Sequence, residues 1–255
     1  MPFKDDVLGV FTVGLKTTSC CQPALAGLNA MVTTPALLAD EELGFIVHNV
    51  NGILQANPDD DGDGARFVRF LVIKRRFLTC PHNSEDTLTL LSSISSVNPR
   101  HVEEQILPLL FSSLSDQAPA ATADRAMYLR ILSALGRLCI QQELFETLVI
   151  RLSTKLDLVC LPPISSAKER QSDFEPNTAY AHAILTTLAN SLQTKVDLGH
   201  TDVPKYVDRL ISRLYSLFIY SALLSVDNSA VATDLRVISV AAQVVTLVVQ
   251  TLPIQ

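Results

Sequence analysis

Apolar residues return at three- and four-residue intervals in run after run of this chain, and almost nowhere in strict alternation. That period is the signature of amphipathic helices and leaves little room for a sheet. Successive runs cover Asp5–Lys16, Gln22–Val32, Asp40–Ala56, Ser84–Ser96, Pro99 to about Ser115 and Ala123–Ile140. They continue through Gln142–Leu161, Asn177–Val196, Asp202–Leu224 and Ala230–Leu252. Several open on helix-start chemistry. Asp40-Glu41-Glu42 sets acids at the positive end of the helix dipole. Ser84-Glu85-Asp86 offers a capping hydroxyl followed by acids. Asn98-Pro99 supplies a capping amide and a proline at the first helical position.

Taken in order, the runs form five helical hairpins, which open at Asp5/Gln22, Asp40/Ser84, Pro99/Ala123, Gln142/Asn177 and Asp202/Ala230. Their pitch centres on the roughly 40–47 residues of HEAT-type repeats. The third pair carries the pattern best. It has Pro108 within its first helix, Asp116 at that helix's end, Arg125 early in the second and Ala134-Leu135-Gly136 near the close. Proline bends the first helix, the aspartate caps a turn, and small residues let the next pair stack closely. The expected fold is an all-α HEAT-type α-solenoid across residues 1–255, with a closed helical bundle as the alternative. Two stretches interrupt the series: an insertion near 57–83, and a polar loop over 162–176 bounded by prolines.

Composition narrows the function classes. The chain is 48% hydrophobic and 18% charged, with only 9 glycines in 255 residues. Apolar surface is ample to offset the ordering entropy, so extended disorder is excluded. Scarce glycine argues against phosphate-cradling loops. A net charge of −6 disfavours direct binding to nucleic acid. Five cysteines without a C-x-x-C, and an opening that lacks an apolar leader, point to reduced thiols in the cytosol or nucleus. The most apolar stretch, Val237–Leu252, keeps Ser239, Gln243, Thr246 and Gln250 on one stripe, and Arg209, Arg213, Ser216 and Tyr220 do the same around Leu210–Leu224. Such regular polar stripes read as helices almost surrounded by protein, with a narrow exposed face, rather than membrane spans.

Candidate chemistry is sparse. Asp59-Asp60-Asp61-Gly62-Asp63 resembles a calcium loop, but Val68 stands where the bidentate glutamate belongs. Asp59, Asp60 and Asp63 also fit the spacing of a magnesium–diphosphate site in an all-α enzyme, yet no second acidic motif follows. A solvated acidic loop is the better reading. His48, His82, His101, His182 and His200 show no repeated ligand spacing, and Cys20-Cys21 cannot form an ordinary cluster-binding pair. Lys74-Arg75-Arg76, with Arg66 and Arg69, reads equally as a nuclear-localisation or nucleic-acid patch and, interleaved with Phe67, Phe70 and Phe77, as a helix with one basic side.

Five strings then resemble one family: Pro2-Phe3-Lys4-Asp5-Asp6-Val7-Leu8, Asp40 to Val47, Pro99 to Glu104, Leu144 to Leu152 and Val203 to Val207. They are similar to the Mms-nineteen family in a fungal form, over nearly all of the chain except about Asp59–His82. The resemblance implies a HEAT-repeat scaffold of cytosolic iron–sulfur protein assembly, also tied to nucleotide excision repair and transcription factor IIH. Family members are several times longer, so it further implies an interior fragment of the scaffold. It implies a non-enzymatic protein with no cofactor of its own, acting in cytoplasm and nucleus. The implied partners are targeting subunits, including a β-propeller protein, and apo iron–sulfur clients. A solenoid meets its partners through a ridge of second-helix side chains. Here the candidate ridge is Arg130 and Arg137, His182 and Asn190, and Gln243 and Gln250, each pair seven or eight residues apart on one helix face. Rival readings are another HEAT scaffold, such as a transport receptor or phosphatase subunit, and the magnesium-dependent diphosphate enzyme.

Overall fold

Every element of the computed structural model is helical among the described residues, which are 3–17, 19–55, 81–118, 122–160, 167–224 and 231–252. The chain divides into two compact units, Met1–Ser113 and Leu114–Gln255.

The first unit holds α1 (Lys4–Gly14), α2 (Cys21–Thr33), α3 (Asp40–Gln55), α4 (Pro81–Val97), α5 (Pro99–Gln105) and α6 (Leu107–Ser112). The second helices α2 and α4 pack on each other, and so do the first helices α3 and α5. Leu28, Ile46, Val47, Leu90, Ile94, Val102 and Ile106 fill the space between these layers and are fully buried. Gly27 is needed for the α1–α2 approach, because a β-carbon there would run into the Phe11 ring. Polar ties join first helix to first helix. Lys4 Nζ lies 2.7 Å from Glu42 Oε1, and Glu42 Oε2 accepts the Ala39 amide at 2.6 Å. Asp40 accepts a hydrogen bond from Asn98 Nδ2, and its Oδ1 lies 2.7 Å from His101 Nε2. The lysine bond, then the Ala39 bond, hold the Glu42 carboxyl below its ordinary range.

The Asn98 cap forms as read, accepting the Arg100 amide at 3.1 Å. The helix it starts does not run unbroken to Ser115. It breaks at Ile106 and resumes as α6, ending at Ser112. Pro108 has no N–H for the Glu104 carbonyl, and its ring crowds that carbonyl.

The second unit holds α7 (Thr122–Leu138), α8 (Gln142–Cys160), α9 (Ala167–Asp197), α10 (Val207–Leu224) and α11 (Leu235–Gln250). Short 3-10 turns at Val203–Tyr206 and Val231–Thr233 precede the last two helices. Helix α9 packs against α7, α8 and α11, while α8 packs on α10. Like again stacks on like: α8 with α10 in one layer, and α7, α9 and α11 in the other. Each unit is thus an all-α stack of helix pairs, the packing of a solenoid. Gly136 permits the α7–α9 approach, because a β-carbon there would stand 3.2 Å from Ser191 Oγ and 3.3 Å from Thr187 Cγ2.

Helix α9 corrects the loop expected over 162–176, since residues 167–176 are its first turns. Ala167 to Glu175 is rich in good helix formers, and these outweigh Pro176, which the helix carries internally. The insertion near 57–83 lies outside the described residues up to Cys80, and Pro81 already begins α4.

Two lysines plug helix-end carbonyls in this unit. Lys155 Nζ donates to Leu114 O at 2.8 Å, Ser115 O at 3.3 Å and Asp116 Oδ1 at 2.6 Å. Tyr180 OH joins it on Ser115 O at 2.9 Å. Lys195, with no exposed surface, donates to Ile140 O at 2.7 Å and faces Asp202 Oδ2 at 2.8 Å. Tyr206 OH donates to Gln142 O and to Asp202 Oδ2. The Lys195 ammonium also stands 5.1 Å from the centre of the Phe145 ring.

Candidate protein-binding surface

The second-helix layer α7, α9 and α11 carries all six residues of the expected ridge. Arg130, Asn190, Gln243 and Gln250 are exposed, while Arg137 and His182 are half-buried. Their mutual register follows from contacts elsewhere on the same helices. Gly136 of α7 sits between Thr187 and Ser191 of α9, and Ser191 Oγ donates to Gly136 O at 3.2 Å. Two turns earlier the Tyr128 ring of α7 packs on the Tyr180 ring of α9, their centroids 4.7 Å apart. The two helices therefore run parallel, with Arg137 level with Asn190, and Arg130 level with the turn holding His182.

Helix α11 is aligned by Arg236, whose guanidinium grips Glu175 of α9 with both ends, at 3.0 and 2.8 Å. The 3-10 turn that follows α9 packs against α11 as well, so these helices are parallel too. His182 stands seven residues beyond Glu175, and Gln243 seven beyond Arg236. Asn190 and Gln250 stand fifteen and fourteen beyond the same pair. The six residues thus fall into two rows across three helices: Arg130–His182–Gln243 and Arg137–Asn190–Gln250. At 1.5 Å rise per residue the rows are about 10–12 Å apart. Neighbouring helix axes lie about 8–10 Å apart.

The chemistry of the surface is mixed. Both arginines make interactions within the structure. The side chains of His182, Asn190, Gln243 and Gln250 make no hydrogen bond among the described residues. Nearby hydroxyls turn inward: Thr186 donates to His182 O and Thr246 to Ala242 O, both at 2.8 Å. Nearby carboxylates are engaged. The bonds from Arg236 hold Glu175 and Asp234 below their ordinary range and push the guanidinium pKa up. Asp197 accepts Gln193 Nε2 at 2.7 Å.

The narrow exposed face expected of the last helix belongs instead to α9, which is flanked by α7 and α11. Helix α11 is bare over about half its circumference. Its polar stripe Ser239, Gln243, Thr246 and Gln250 is exposed as read, but Leu235, Ile238 and Val249 beside it are exposed as well, Leu235 at 82%. Apolar periodicity alone cannot tell a neighbour's contact from open solvent. The α9–α11 clamp of Arg236 on Glu175 also escaped the sequence reading, because the partners are 61 residues apart.

Other sequence candidates do not converge. His101 joins Asp40, His200 lies 3.8 Å from Asp202, and His48 is exposed. Cys20 is exposed, and Cys21, Cys139 and Cys160 are buried. Burial, aided by Asp157, pushes the Cys160 thiol up to about 12, far from a nucleophile's range. Among the described residues no His, Cys, Asp and Glu group is placed to hold a metal. The acidic run Asp59–Asp63 and the basic run from Arg66 to Arg76 lie outside the described residues. No described helix is long and apolar enough to cross a membrane.

Residues 131–255 match the family model MMS19_C, RNAPII transcription regulator C-terminal. No curated protein and no solved structure matches the chain.

Proposed function

The chain belongs to the Mms-nineteen family, whose RNAPII transcription regulator C-terminal domain it carries over residues 131–255, and from that premise we propose that it is a non-enzymatic scaffold of cytosolic iron–sulfur protein assembly. It holds targeting subunits, among them a β-propeller protein, and presents apo iron–sulfur proteins of DNA repair, replication and transcription to them. It works in the cytoplasm and the nucleus. Arg130, Arg137, His182, Asn190, Gln243 and Gln250 form its partner-facing ridge.

The observation that carries this reading is the overlap of two facts. The family match takes in α9, α11 and α7 from Ile131 onward, so it includes five of the six ridge residues, and the six line up in two rows. A surface on stacked helices suits protein recognition, because the scaffold fixes the spacing of its contacts.

Affinity purification of the full chain from cell extract, followed by identification of the bound proteins, tests the reading. Assembly subunits and iron–sulfur clients are the expected captures. Arg130→Ala, Asn190→Ala and Gln243→Ala combined should lower their recovery with the fold intact. Capture of nuclear transport factors without assembly proteins would overturn it.

A further inference from the structure

Helix α11 carries two apolar faces, and the fold uses one of them. Val237, Ala241, Val244, Leu247 and Val248 are buried in the second unit. A second row, Leu235, Ile238, Ala242, Val245, Val249 and Leu252, returns at intervals of three, four, three, four and three. The first five lie in the helix, and Leu252 lies in the turn that closes it, its amide donating to Val249 O at 3.1 Å. This is the heptad spacing of a coiled-coil seam, and at 3.6 residues per turn it holds the helical five within an arc of about 80°. Val245 is half-buried and the other five are exposed, Leu235 at 82%, Val249 at 48%, Ile238 at 41% and Leu252 at 39%. A seam of this spacing accepts one more helix at a shallow crossing angle of about 20°.

Association about a two-fold axis requires a patch that is complementary to itself. Turned end for end, the row meets that requirement. Leu235 of one copy lies over Leu252 of the other, Ile238 over Val249, and the small Ala242 over Val245, each contact being made twice. A parallel pairing would set Ala242 on Ala242 and leave a gap, and it would bring like ends of the helix dipoles together. Charge is compatible as well. Ser239 and Thr246 flank the seam on the side away from the core, and both are uncharged. No like charges therefore meet across the axis, and a charged partner helix finds nothing on these flanks to pair with. The helix is already held by its buried face and by the Asp234 cap on the Arg236 amide at 2.8 Å, so docking does not have to order it.

We propose that this seam is a homodimer interface, in which two copies of the chain pair antiparallel along α11. Gln243 and Gln250 stand on the far side of the polar stripe and stay clear of it, so the pair displays the ridge twice. The seam is small beside the roughly 20–30 residues a side of a standard interface, so the dimer is weak and reversible.

Sedimentation of the full chain from low micromolar to submillimolar concentration is the test. The mean mass should rise from one chain toward two and no further. Ala242→Glu buries an unpaired charge twice at the centre of the seam and should weaken the dimer about tenfold or more. In the antiparallel pair Ser239 of one copy lies within a turn of Thr246 of the other. Ser239→Glu with Thr246→Lys in one chain should therefore tighten the dimer about twofold or more, while Ser239→Lys with Thr246→Lys should loosen it. These three positions are exposed, so the variants should keep wild-type circular dichroism.

A chain that stays monomeric at submillimolar concentration overturns the proposal. So does a dimer that Ala242→Glu leaves intact, because the contact then lies elsewhere, and so does a mass that climbs past two chains, because the contact then does not close. Equal effects of the two charge designs overturn the antiparallel register. Loss of one bound protein from cell extract on Ala242→Glu, with the chain monomeric throughout, assigns the seam to another protein's helix and overturns the second copy as its occupant.

Discussion

Replacing Lys195 by methionine should be among the most damaging single changes to the second unit. The lysine has no exposed surface, and Asp202, its partner at 2.8 Å, is 8% exposed. Methionine keeps the length of the stem but removes the cation. The Ile140 carbonyl then loses a charge-assisted bond made at 2.7 Å, and the buried Asp202 carboxylate loses its lysine, keeping the Tyr206 hydroxyl and His200 Nδ1 at 3.8 Å. Breaking one side of a buried pair costs about 3–5 kcal/mol, mostly the penalty of the charge left behind. The urea midpoint of the full chain, followed by far-UV circular dichroism at neutral pH, should fall accordingly with little change in the slope. A second variant separates charge from packing. With Asp202→Asn added to Lys195→Met, the stranded charge is gone, and much of the loss should return as a coupling energy between the sites. A loss below about 1 kcal/mol for the single variant, of the size expected for an exposed pair, would refute the assignment of a buried ammonium. So would a double variant no more stable than the single one.

Gly27→Ala should cost about 1–3 kcal/mol in thermal or urea unfolding, since its β-carbon meets the Phe11 ring, and Phe11→Leu in that background should recover part of it. Gly136→Ala should be nearly neutral in the same assay, because its contacts at 3.2 and 3.3 Å can give slightly while the helix gains propensity. Among the four described cysteines, thiol titration of the native protein followed by peptide mapping should label Cys20 first, with Cys21, Cys139 and Cys160 reacting only on unfolding. Stability should also fall with acid. Glu42, Glu175, Asp202 and Asp234 all have lowered values in the fold, so their contribution is present above their unfolded values and is lost as pH drops through the folded ones. For Asp202, burial pushes the carboxyl up, but the Lys195 and Tyr206 bonds together pull it lower. Melting temperature should therefore decline below about pH 5.

Much of the secondary structure was legible because its causes are local. The Asn98-Pro99 start needs only the neighbouring amide of Arg100. The stripe through Ser239, Gln243, Thr246 and Gln250 needs only the helical period. Errors arose where a local signal was ambiguous. Pro108 read as a bend and proved a break, while Pro176 read as the end of a loop and proved an interior helical residue. The lysine plugs were not legible, because their partners lie about 40–55 residues away and a lysine in a helix ordinarily reads as surface. The ridge residues could be nominated from spacing on each helix. Their alignment across helices could not, because register depends on Gly136, Glu175 and Arg236 meeting distant partners.

Lys155 and Lys195 give the second unit a mechanical character. Each ammonium is seated in the carbonyl end of a turn that lies earlier in the chain, and a tyrosine from the next helix onward fastens the same turn. Separating one pair from its neighbour would draw a cation out of its socket before any apolar contact could slide. Tension should then load the joints evenly, and the unit should yield in one event rather than unzip pair by pair. Slow, uniform amide exchange across α7, α8 and α9 would report that stiffness.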